Sequence, residues 1–143
     1  MSKVDFHILD SSDRTAVLTY ICRLLRKAYK LGHKAYVRVD NDQDMQQLDT
    51  LLWTFSELDF IPHAVIDKEN GQEAVIIGMI ERSGDGSKIL VNLGDRLPED
   101  YASYSRVIEF IGDDPSAKAA GRDRYRQYQQ KNDELTNHQI SVN

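Results

Sequence analysis

The chain of 143 residues is poor in the features that carry most simple functional signatures. Cys22 is its single cysteine, which excludes an internal disulfide and every zinc site built on several thiolates. Its longest apolar runs are about four residues, such as Ala74-Val75-Ile76-Ile77, where a membrane span needs ~20. Met1-Ser2-Lys3-Val4-Asp5-Phe6 runs directly into strand-like sequence without the apolar core of a signal peptide, so the expected setting is the cytoplasm. The four histidines, His7, His33, His63 and His138, lie far apart with no ligand-like spacing, and no metal is expected. Positive charge is also short, with 18 Lys and Arg against 23 Asp and Glu, which disfavours a protein that coats itself with nucleic acid.

What remains is ample for one folded domain: 41% of residues are hydrophobic and 29% charged. Val4–Leu9 alternates as a strand, and Ser11, Ser12 or Asp13 can cap a helix whose apolar residues run from Val17 to Ala28 before Gly32 ends it. Lys34–Val39 reads as a second strand. Asp40-Asn41-Asp42 then caps a second helix with the stripe Met45, Leu48, Leu51, Leu52 and Phe55. Ala74–Ile80 and Lys88–Leu93 are strand-like runs whose connection, Arg82 to Ser87, reads as a hairpin turn. A short helix near Pro98–Tyr104 and a strand at Arg106–Ile111 follow. Asp114-Pro115 starts a last helix that runs to about Gln130. The expected architecture is α/β, one domain over residues 1–131 with a mostly parallel sheet covered by helices, and a polar tail over 132–143 that frays.

Such a start invites a nucleotide-binding reading, which the first strand–helix turn opposes. Leu9-Asp10-Ser11-Ser12-Asp13 holds two carboxylates and no glycine, where a pyrophosphate needs close backbone N–H groups. Gly84-Asp85-Gly86-Ser87-Lys88 lacks the Gly-Lys-Ser/Thr order of a phosphate loop and leads into a strand. No cofactor is expected. No nucleophile–base set can be assembled either, although an active site built from distant residues is invisible at this level.

Two surfaces stand out. Trp53, the only tryptophan, lies off the centre of its helix stripe, and Phe60 follows in the next loop. Large aromatics so placed either anchor a partner or fill a satellite core under the loop. The last helix carries Lys118, Arg122, Arg124, Arg126 and Lys131 against one Asp. At about 100° per residue, Lys118, Arg122, Tyr125, Arg126 and Gln129 share one sector. That face suits an acidic peptide carrying a hydrophobic residue, while a solvated helix end and a nucleic-acid contact are the competing readings.

Several segments together resemble the chi subunit of bacterial DNA polymerase III, in matching order over nearly the whole chain. They are Phe6-His7-Ile8-Leu9-Asp10, Leu51-Leu52-Trp53 with Phe60-Ile61-Pro62-His63, Ile89-Leu90-Val91-Asn92-Leu93, Val107-Ile108-Glu109-Phe110-Ile111 and Arg122-Asp123-Arg124-Tyr125-Arg126. The resemblance implies a Rossmann-like fold without nucleotide chemistry, in a non-catalytic accessory subunit of the clamp loader. It implies two partners: the psi subunit, at the positions of Trp53 and Phe60, and the acidic C-terminal tail of single-stranded-DNA-binding protein (SSB). A helicase is a possible occupant of the psi surface, and DNA is met only indirectly. The tail site maps to Ile111, Lys118, Arg122, Tyr125 and Arg126, with Gln129 standing where the family has a further basic residue.

Overall fold

The computed structural model describes residues 2–54, 63–66, 75–79 and 88–142. Strands β1 (Lys3–Leu9), β2 (Lys34–Arg38), β3 (His63–Ile66), β4 (Val75–Gly78), β5 (Lys88–Asn92), β6 (Arg106–Ile111) and β7 (Glu134–Ile140) form a seven-stranded sheet in the order β3-β4-β2-β5-β6-β1-β7. Every pairing is parallel. Helices α1 (Arg14–Lys30) and α2 (Asp42–Thr54) pack on one face of the sheet, and α3 (Pro115–Gln130) packs on the other with the 3-10 turn Tyr101–Ser103.

Local chemistry accounts for the helix boundaries. Of the three capping candidates at the first helix, Asp13 takes the role, its carboxylate accepting the Thr15 N–H at 3.0 Å. Gly32, at φ +85, supplies the left-handed turn after α1 that residues with a Cβ rarely adopt. At α2 the Asn41 side chain accepts the Asp44 N–H at 2.8 Å. Strand alternation then divides the core in two. Val4 and Phe6 of β1 point with Leu90, Val107 and Tyr128 into the α3 side, while Leu9, Val37, Val91, Ile108 and Phe110 meet α1 and α2.

Two expectations fail. The runs around β4 and β5 do not form a hairpin, because β2 lies between them and pairs parallel with both. The turn-like residues Arg82 to Ser87 lie outside the described residues. The overlooked signal was in the strands: all of Val75–Gly78 and Ile89–Asn92 are buried, the unbroken burial of strands covered on both faces. The tail from 132 does not fray either. Glu134–Ile140 becomes β7, in register with β1 from Lys3↔Glu134 to Leu9↔Ile140. Beyond it, the Val142 N–H donates to Asp10 at 2.8 Å. As an edge strand, β7 is held by backbone bonds rather than by side-chain burial, so its polar composition hid it.

Candidate functional site

The basic face seen in the sequence stands on α3, whose placement follows from its two ends and its underside. Asp114 caps the helix by accepting the Ala117 N–H at 3.1 Å, with Pro115 in the first turn. Midway, Gly121 lets the helix rest directly on Ile111 at the end of β6. A Cβ there would lie 2.5 Å from Ile111 Cδ1 and 2.7 Å from Cγ1. The Tyr125 ring, half-buried, packs 5.2 Å from the ring of Phe6 on β1. Ile111 and Tyr125 thus belong to one apolar cluster.

Arg124, which contributes to the charge of the helix but lies outside the sector of Lys118, Arg122, Tyr125 and Arg126, is turned into the domain. It is 4% exposed, and its Nε donates to Glu109 Oε1 at 2.9 Å beneath the helix. Glu109 is 0% exposed and also accepts from Asn92 Nδ2 at 2.8 Å and from the Tyr128 hydroxyl at 2.7 Å. Further guanidinium N–H groups of Arg124 donate to the carbonyls of Phe110 and Asp95, each at 3.3 Å. Burial pushes the Glu109 carboxyl up, while Arg124 and the donors from Asn92 and Tyr128 pull it down; burial prevails. The Tyr128 hydroxyl is pushed up by its own burial and by Glu109 beside it. This group joins α3 to β5, β6 and the segment after β5. Spacing alone could not find it, but a lone Glu109 inside the apolar run Val107–Ile111 was a sign of a buried partner.

The outward side is different. Lys118 pairs with Asp113 at 2.8 Å, and Arg126 pairs with Asp123 at 3.3 Å. The Lys131 ammonium lies 5.1 Å from the centre of the Tyr101 ring. Arg122 is exposed and has no ion-pair or hydrogen-bond partner among the described residues. One guanidinium therefore stands ready for an external anion, flanked one helical turn away on either side by cations whose present partners are also exposed.

Trp53 lies elsewhere. It is 56% exposed near the end of α2, on the opposite face of the sheet from α3. Its expected companion Phe60 lies outside the described residues.

The end of the sheet where nucleotides bind in related architectures is already occupied by carboxylates. Asp13 holds the N-terminus of α1, and Asp10 accepts the Val142 N–H. The hollow beside them, lined in part by Ser11, Gly112, Asp114 and Arg124, measures about 140 Å³. Cys22 is buried, and burial pushes its thiol up to about 12, which makes it a poor nucleophile.

These features define a class: a single Rossmann-like α/β domain with a basic helix face and with no glycine in the turn between β1 and α1. The family model described as "DNA polymerase III chi subunit, HolC" matches residues 1–136. The DNA polymerase III subunit chi of Pseudomonas aeruginosa is 32% identical over 140 residues, covering 98% of each chain. That of Escherichia coli K12 is 22% identical over 134 residues, covering 90% of this chain and 91% of its own. The chain belongs to the DNA polymerase III chi subunit family. Among solved structures, T4 UvsW superposes with a TM-score of 0.72 at 10% identity, over 99% of this chain and 42% of that one, a likeness of fold alone.

Proposed function

We propose that this chain is a non-catalytic accessory subunit of the replicative DNA polymerase III assembly. It bridges the clamp loader, through psi, to the acidic C-terminal tail of SSB. The observation that carries the reading is the exposed guanidinium of Arg122, without a partner among the described residues, three residues before Tyr125 on the helix and next in the chain to Gly121, which rests on Ile111. A tail ending in acidic residues and a hydrophobic residue with a free α-carboxylate needs a fork-shaped donor for that carboxylate, and arginine supplies two parallel N–H bonds. It also needs an apolar seat, for which Ile111 and Tyr125 are in contact with one cluster. Lys118 and Arg126, at exposed rim pairs, exchange their present partners for the acidic residues.

Trp53 serves the second partner. An exposed tryptophan on the far face of the sheet permits both partners to bind at once, and truncating such an anchor costs ~2 kcal/mol or more of binding. The test is fluorescence anisotropy with a labelled SSB tail peptide, the same peptide lacking its last residue, and naked single-stranded DNA. Tight binding of the complete peptide alone, retained by Trp53→Ala, supports the bridge. Equal binding of the shortened peptide, or preferential binding of naked DNA, overturns it.

A further inference from the structure

A second hollow lies on the α1 side of the sheet, away from the α3 face. It measures about 350 Å³, within the ~300–1,000 Å³ range of ligand pockets. Leu24, Ala28 and Leu31 line it from α1, and Ile89 and Ile108 from β5 and β6. Leu24, Lys27, Ala28 and Leu31 follow i, i+3, i+4, i+7 spacing, so one stripe of α1 faces the hollow. Leu31 ends that stripe 66% exposed, more than any other large hydrophobic side chain among the described residues.

The rim is cationic in a chain of net charge −5. Lys27 stands in the stripe itself, exposed and without an ion-pair partner among the described residues. Arg106 lines the hollow from the start of β6, held by Asp5 at 2.9 Å, and His33 and His138 complete the edge. Asp5 is the one carboxylate of the lining, and it is engaged by Arg106 and by His138 at 3.3 Å. A smaller hollow of about 210 Å³ adjoins it, sharing His33, Ile89 and Arg106 and adding Lys3. Lysines in the last turn of a helix are explained by the helix dipole alone. That explanation does not reach Arg106 and Lys3 on strands, nor the exposed Leu31.

We infer that this hollow binds an acidic polypeptide segment in which carboxylates flank one large apolar side chain. The apolar residue enters between Leu31, Ile89 and Ile108, while the carboxylates meet Lys27, Arg106 and Lys3. The lining favours a polypeptide over nucleic acid, because among the described residues its rings are those of His7, His33 and His138, with no Phe, Tyr or Trp platform on which bases stack. The site is independent of the α3 face and of the bridging reading drawn from it.

The probe is a short labelled peptide alternating glutamate with leucine, titrated into the full chain while backbone amide resonances are followed. We expect shifts at Ala28, Leu31, Ile89 and Arg106, and at least tenfold weaker binding by Lys27→Glu/Leu31→Glu, a pair of exposed changes that leaves the fold intact. Arg122→Ala retains this contact, which separates it from the α3 face. Shifts confined to α3, unchanged affinity in the charge-reversed pair, or tighter occupation of the same amides by oligothymidylate would overturn the inference.

Discussion

Arg122 and Arg124 stand two positions apart on α3, which places them about 200° apart around the helix. Arg124 points into the domain and is saturated there, by Glu109 and by the carbonyls of Phe110 and Asp95. Arg122 points outward and has no partner among the described residues. The same side chain therefore has opposite uses within one turn. The buried one sets where the helix lies, and its charge is consumed in doing so. The exposed one inherits that position, and its charge has no partner among the described residues. Counting cations along the helix cannot separate these uses; only the surroundings of each guanidinium do.

The largest expected effect comes from breaking the buried half. Arg124→Ala leaves Glu109 in the core without its ion-pair partner, held only by Asn92 and Tyr128, and loss of one partner of a buried pair costs about 3–5 kcal/mol. Urea denaturation checks this, and a loss under about 1 kcal/mol would show that the network does not hold α3 in place.

A smaller effect sharpens the contact between the two halves. Gly121→Ala would ordinarily stabilise a helix by about 1 kcal/mol. Here the new methyl meets Ile111, and overpacking costs about 1–3 kcal/mol, so a net loss of about 1 kcal/mol is expected. Adding Ile111→Val removes Cδ1, the nearest atom, and should recover part of the loss; thermal melts of the single and double variants measure it.

The smallest effects lie at the rim. Lys118→Ala and Arg126→Ala each weaken tail-peptide binding by about 0–1 kcal/mol, and the differences fade as salt shortens the Debye length. Titrations at low and high salt test this. A salt-independent loss of more than tenfold at either position would move the centre of the site away from Arg122.

The parts of this account that were legible in the sequence are those governed by neighbours along the chain. The cap Asp114, a helix start within Ser11–Asp13, the stripe of α1, the residues Met45, Leu48 and Leu52 of α2 and the strand at Arg106–Ile111 all follow from local spacing, whereas the choice of Asp13 among three capping candidates does not. The illegible parts depend on residues brought together from afar. The polar strand β7 needs β1 as its template, and β4 and β5 are separated by β2 for reasons no turn residue encodes. At the site, the sector containing Lys118, Arg122, Tyr125 and Arg126 was readable from helix geometry. The same geometry sets Arg124 outside that sector, but its burial against Glu109 was not readable, because Glu109 lies on another element.

Isothermal titration of the SSB tail peptide against Arg122→Ala, beside the unaltered chain, tests the division of labour on α3 most directly. Surface substitutions away from special contacts change stability by no more than about 0.5 kcal/mol, so the variant should melt like its parent. Its peptide affinity should nevertheless be nearly abolished. A variant that folds normally and binds the peptide as tightly as the unaltered chain would contradict the account.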